Sequence, residues 1–85
     1  MSPFTVDWDP DAEDELARIW MQDSDPPAIT RASAQADQSL ARDPLGNGRH
    51  VSGGLYQITA APLLISFTIN VPNRHVQVTW VRRLP

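Results

Sequence analysis

The spacing of apolar residues along this chain has period two near the start, a helical period over the next third, and period two again towards the end. Phe4-Thr5-Val6-Asp7-Trp8 alternates apolar with polar residues, which predicts a short first strand with Phe4, Val6 and Trp8 on its buried face. Asp9-Pro10-Asp11 then marks a helix start. An Asp at the cap position can accept from an orphan N–H, Pro10 brings its φ preset, and Asp11, Glu13, Asp14 and Glu15 suit the positive end of the helix dipole. Ala12, Leu16, Ile19 and Trp20 recur as one helical stripe, and the pattern stops between Met21 and Ser24.

Asp25-Pro26-Pro27 repeats the start signal. The following segment, to Arg42, is rich in Ala, Gln and Arg and aligns Ile29, Ala32, Ala36 and Leu40 on one side, with Pro44 closing the helix. Such small residues admit a close neighbour, so the two helices are expected to form a hairpin across a sheet. Leu45-Gly46-Asn47-Gly48 and Ser52-Gly53-Gly54 read as turns around Arg49 to Val51, a short strand or an extended loop. Leu55 to Ala60, Leu63 to Asn70 and His75 to Arg82 read as three strands, and their short connections make them antiparallel neighbours. Ile65, Phe67 and Ile69, and likewise Val76, Val78 and Trp80, each share one face of their strand, so helices should cover one side of the sheet and leave the other open. The expectation is a single α+β domain over residues 1–85. It has an N-terminal strand, at an edge or between later strands, and a two-helix hairpin packed on a small antiparallel sheet of three to four strands, with Trp20, Phe67 and Trp80 in the core.

Length and composition narrow the function classes. At 85 residues the chain is close to the size at which one core gives only modest stability, so a partner or a homodimer would help it. With no cysteine there is no disulfide framework, thiolate metal site or cysteine nucleophile, and the two histidines and the carboxylates form no recognised metal spacing. No metal or cofactor is expected. No apolar run approaches a membrane span and the N-terminus carries no signal pattern, so the expected compartment is the cytoplasm.

Charge changes the picture more. All ten acidic residues lie in the first 43 positions, where three arginines leave −7, and the remaining positions carry +4 from Arg49, Arg74, Arg82 and Arg83. The overall −3 therefore conceals a dipolar molecule whose basic part can attract RNA, DNA or an acidic peptide. Every basic residue is Arg, suited to bidentate contacts with phosphate or carboxylate, although a GC-rich genome gives the same bias. Arg82-Arg83 reads as an anion-binding pair or as a solubilising end, and since consecutive strand residues face opposite ways, only one should reach a common site. Arg49-His50, between Gly48 and Gly53-Gly54, reads as a phosphate cradle or simply as a turn-flanked strand. His50 and His75 are the natural acid or base candidates, with an ordinary surface role as the alternative. Tyr56, Trp8, Trp20 and Trp80 read as core residues, with base stacking the lesser alternative for the tryptophans. The acidic run Asp11 to Glu15 reads as a solvated helix start.

Val6-Asp7-Trp8-Asp9-Pro10-Asp11-Ala12-Glu13-Asp14-Glu15-Leu16 resembles the opening of the RelE/ParE superfamily of bacterial toxins. Leu40 to Gly46, the Gly54-Leu55-Tyr56-Gln57-Ile58 strand and the Val76 to Arg83 finish continue the resemblance in order. It implies a toxin of a type II toxin-antitoxin pair, neutralised by a cognate antitoxin and acting on ribosome-bound mRNA or on DNA gyrase, with a homodimer or a heterotetramer with the antitoxin as assemblies. In the ribonuclease branch it implies a metal-independent endoribonuclease in which Arg49 and Arg83 could fill two of the basic roles; with His50, an acid or base candidate by its own chemistry, they are the catalytic candidates. Arg49, Arg74, Arg82 and Arg83 are the candidate contacts to antitoxin or nucleic acid. Two departures weaken the catalytic reading: Leu64 stands where the resemblance calls for Arg, and no Tyr follows Arg83 before Pro85. A non-catalytic interaction module with the same fold is therefore the alternative.

Overall fold

The computed structural model describes residues 3–85 and is a two-layer α+β arrangement, helices on one face of a five-stranded sheet. In chain order the elements are β1 (Thr5–Trp8), α1 (Pro10–Gln22), α2 (Pro26–Arg42), a one-turn helix α3 (Pro44–Asn47), β2 (Arg49–Ser52), β3 (Leu55–Ala60), β4 (Leu63–Asn70) and β5 (His75–Arg83). The sheet order is β1-β5-β4-β3-β2. β2 to β5 form an antiparallel meander, and β1 lies parallel to β5 at the far edge, a pairing that the α1–α2 crossover makes possible.

Two expectations are refined here. The sheet has five strands instead of three to four, because Arg49–Ser52 pairs with β3 as an edge strand. Leu45-Gly46-Asn47 is a helical turn, with the Asp43 carboxylate accepting from Gly46 N at 2.9 Å at its start. Asp25 caps α2 by accepting from Ala28 N, whereas the Asp9 carboxylate does not cap α1 and instead accepts from the Gln77 side chain of β5.

The α2 stripe is buried as its spacing requires: Ile29, Ala32, Ala36 and Leu40 all lie under the helix. They meet Leu63, Ile65 and Phe67 of β4, Val76, Val78 and Val81 of β5, and Ala12 and Ile19 of α1. Tyr56 packs against this cluster with its ring stacked on Phe67 at 5.8 Å. Trp20 departs from the expectation and is 46% exposed. Eight positions after Ala12 it has rotated roughly 80° off the centre of the stripe, so its ring lies at the α1–α2 boundary, where its indole donates to Thr30 Oγ1 at 3.1 Å.

Candidate sheet-face binding site

The face of the sheet away from the helices is where the C-terminal arginines diverge. In β4 the residues Leu63, Ile65 and Phe67 point to the helices, and Leu64, Ser66 and Thr68 point outward. β5 begins in phase with this, Val76 opposite Ile69 and Val78 opposite Phe67. The pairing then shifts: Phe67 faces Val78 while Ser66 faces Trp80, so Thr79 has no partner and the strand bulges. Thr79 Oγ1 donates to the Ser66 carbonyl at 3.3 Å and so ties the extra residue to β4.

The bulge inverts every later side chain of β5. Val81 becomes a core residue, Trp80 turns outward and is 46% exposed, Arg82 faces outward beside Leu64, and Arg83 falls on the helix side beside Leu63. Trp80 is therefore not in the core, contrary to its place in the Val76, Val78 alternation; strict period two fails across one inserted residue. Arg83 is bound by Asp23, the C-cap residue of α1, whose side chain is only 4% exposed. The guanidinium, and then the Asp25 backbone N–H, hold the Asp23 carboxyl below its ordinary range.

The other candidates separate in the same way. Arg49 pairs with Gln57 at the edge of the sheet and, on the outer face, its guanidinium donates to Gln57 Oε1 at 3.2 Å. His50, one residue on, sits edge-on to Tyr56 at 5.2 Å with Nε2 2.7 Å from the Gly53 carbonyl. His75 is at the opposite end of β5, its Nε2 2.7 Å from Asp7 Oδ2. Arg74, in the β4–β5 turn at φ 52°, lies over the Phe4 ring at 5.3 Å. Arg49, His50 and Arg83 therefore do not converge.

What the fold does bring together is Arg49, Gln57, Ser66 and Trp80 in one cross-strand row, with Thr59, Leu64 and Arg82 in the next. An open cavity of about 350 Å³ lies between Asn47 to Arg49 and Gln57, Thr59 and Leu64. Strands β2 to β5 contribute no carboxylate to this surface, since no acidic residue follows Asp43. The site offers two guanidinium groups, amide and hydroxyl side chains, an indole and one leucine. It can bind an anion and an apolar ring; it presents no acid–base pair beside the arginines. The inversion that selects Arg82 and Trp80 was missed from sequence, and the only signal for it is the run Trp80-Val81, two large apolar residues in succession where alternation demands one.

No family model and no curated protein matches the sequence. Solved structures do. A chain of the toxin-antitoxin complex RelBE2 from Mycobacterium tuberculosis superposes with a TM-score of 0.81 at 20% identity, over 98% of this chain and 93% of its own. For the chromosomal ParDE toxin-antitoxin system of P. aeruginosa the TM-score is 0.72 at 17% identity, over 96% and 97%. For the archaeal RelE-RelB complex of Pyrococcus horikoshii it is 0.71 at 10% identity, over 95% and 94%. The fold of this chain is thus one found in chains of toxin-antitoxin complexes.

Proposed function

We propose that this chain, whose fold is the RelE/ParE fold, is the toxin of a type II toxin-antitoxin pair, working in the cytoplasm, neutralised by a cognate antitoxin and directed at ribosome-bound mRNA or at DNA gyrase. The observation that carries this reading is the agreement of fold along nearly the whole chain with toxin-antitoxin complexes, joined to a sheet half that bears Arg49 and Arg82 and no carboxylate. An anionic target or an acidic antitoxin segment has a complementary surface there.

The geometry favours holding a target over cutting it. Metal-free cleavage at a ribose 2′-hydroxyl needs a base, an acid for the leaving oxygen and cations for the crowded phosphate. Arg49 and Arg82 supply only the cations, because a guanidinium does not give up its proton in this range. His50 faces Tyr56, and Leu64 fills the place beside Arg82. These contacts support a second reading, a RelE/ParE-fold interaction module that retains antitoxin binding without cleavage.

Tightly induced expression in a bacterial host, followed by viable counts and pulse incorporation of labelled amino acid and thymidine, tests the toxin reading. Arrest is expected, relieved by Arg82→Ala and by co-expression of the antitoxin, and the pool that stops first distinguishes ribosome from gyrase. Abundant, folded protein that leaves growth untouched would overturn the toxin reading, and co-purification with the antitoxin would then support the interaction module.

A further inference from the structure

We infer that Trp80 is a stacking platform for an unpaired nucleobase, and that the β5 bulge presents it at the end of the Arg49 row, next to Arg82; this rests on the anionic-target reading of the same face. The protein has three tryptophans, and two of them have architectural work for their indoles. Trp8 Nε1 donates to Asp37 at 2.8 Å, and Trp20 Nε1 donates to Thr30. Trp80 has no hydrogen-bond partner among the described residues, and half its surface is open on a sheet face that the helices do not cover.

Its surroundings leave the ring accessible. The residue directly across on β4 is Ser66, too small to cover an indole. On the other side β1 ends at Trp8 opposite Val78, and the chain turns away at Asp9, whose N–H bonds the Val78 carbonyl. No strand therefore flanks Trp80 on that side. A bulge that re-aims a side chain at a functional position is a recurrent use of the motif, and it costs a ladder pairing that regular alternation would have kept. Without the insertion Trp80 would join Val76 and Val78 in the core and Arg82 would fall on the helix side.

The ligand class follows from the chemistry in reach. A planar ring stacks on the indole, and the adjoining phosphates meet Arg82, two residues along the same strand, and Arg49, across three strand spacings of roughly 5 Å each. Gln57 and Ser66 lie between them as hydrogen-bonding groups. A base held in a duplex cannot offer its face to the ring, so the preferred ligand is single-stranded.

The test is fluorescence anisotropy of a labelled short oligouridylate against the folded wild-type protein and the variants Trp80→Ala, Trp80→Phe, Arg49→Ala and Arg82→Ala. Trp80→Ala should weaken binding about tenfold or more at an unchanged salt slope. Trp80→Phe should keep most of the affinity while abolishing the ligand-induced quenching of protein fluorescence. Each arginine variant should reduce the slope of log affinity against log salt by about 0.7. Equal affinity in Trp80→Ala and wild type, tighter binding of a duplex than of the single strand, or binding of an acidic peptide in place of the oligonucleotide would each overturn the inference. The titration needs neither toxicity nor an antitoxin, so its failure is distinct from a failure to arrest growth.

Discussion

Arg82 and Arg83 are adjacent and chemically identical, yet they have different work because a pleated strand sends neighbours to opposite faces. Arg83 is committed to Asp23 and ties the last strand to the end of α1. Since Asp23 is held below its ordinary range, the stabilisation from this pair is complete above the unfolded-state value of about 3.9 and is lost as pH falls through the lower folded value. Arg83→Gln should therefore lower the urea midpoint at neutral pH, and the gap to wild type should close on acidification below about pH 4; a gap that is independent of pH would assign the loss to packing alone. Gly48 shows a different constraint. Its φ is ordinary for any residue, but a methyl there would lie 2.5 Å from the Phe67 ring and 2.7 Å from the Pro44 carbonyl oxygen. Gly48→Ala should cost about 1–3 kcal/mol in urea unfolding with an unchanged slope, because the backbone at Pro44 must give way.

Among the elements, α2 carries most of the helix layer's contribution to the core, through one stripe of Ile29, Ala32, Ala36 and Leu40. Two of those four are alanines, so little apolar volume is available to compensate for a loss. Leu40→Ala should destabilise the domain by about 2–5 kcal/mol, a large part of the total for a chain of this size, and thermal melting by circular dichroism would show it. The stripe was legible in advance because helical periodicity survives packing. β2 was less legible: four exposed residues around a register shift offer no alternation to read, and only pairing with β3 makes them a strand. β5 was legible as a strand and misread in its second half, because an inserted residue that the partner strand accommodates disturbs hydrophobic alternation only at Trp80-Val81.

The molecule as a body is electrically polarised: the carboxylates belong to β1, the helices and their caps, while the sheet from β2 onward carries only arginines. Despite a net charge of −3 and a pI near 5.0, the protein should be retained on a heparin column at low ionic strength and elute as salt screens the contact. Arg49→Ala/Arg82→Ala should elute markedly earlier. Arg74→Ala, which removes a cation engaged with Phe4 at the far end of the sheet, should change elution least. Equal elution of all three proteins would move the anion-binding surface elsewhere.

The order of elements, the α2 stripe, the separation of charge and the absence of cysteine chemistry follow from the amino-acid sequence, because each depends on local spacing or on simple counts. Which of the C-terminal arginines is available, on which face of the sheet Trp80 lies, and whether His50 meets Arg49 did not follow from it. Those depend on register between strands distant in sequence: the unpaired Thr79 turns Trp80 and Arg82 outward and gives Arg83 to Asp23. A side chain's face is a property of the pairing, and the pairing exists only once the sheet has formed.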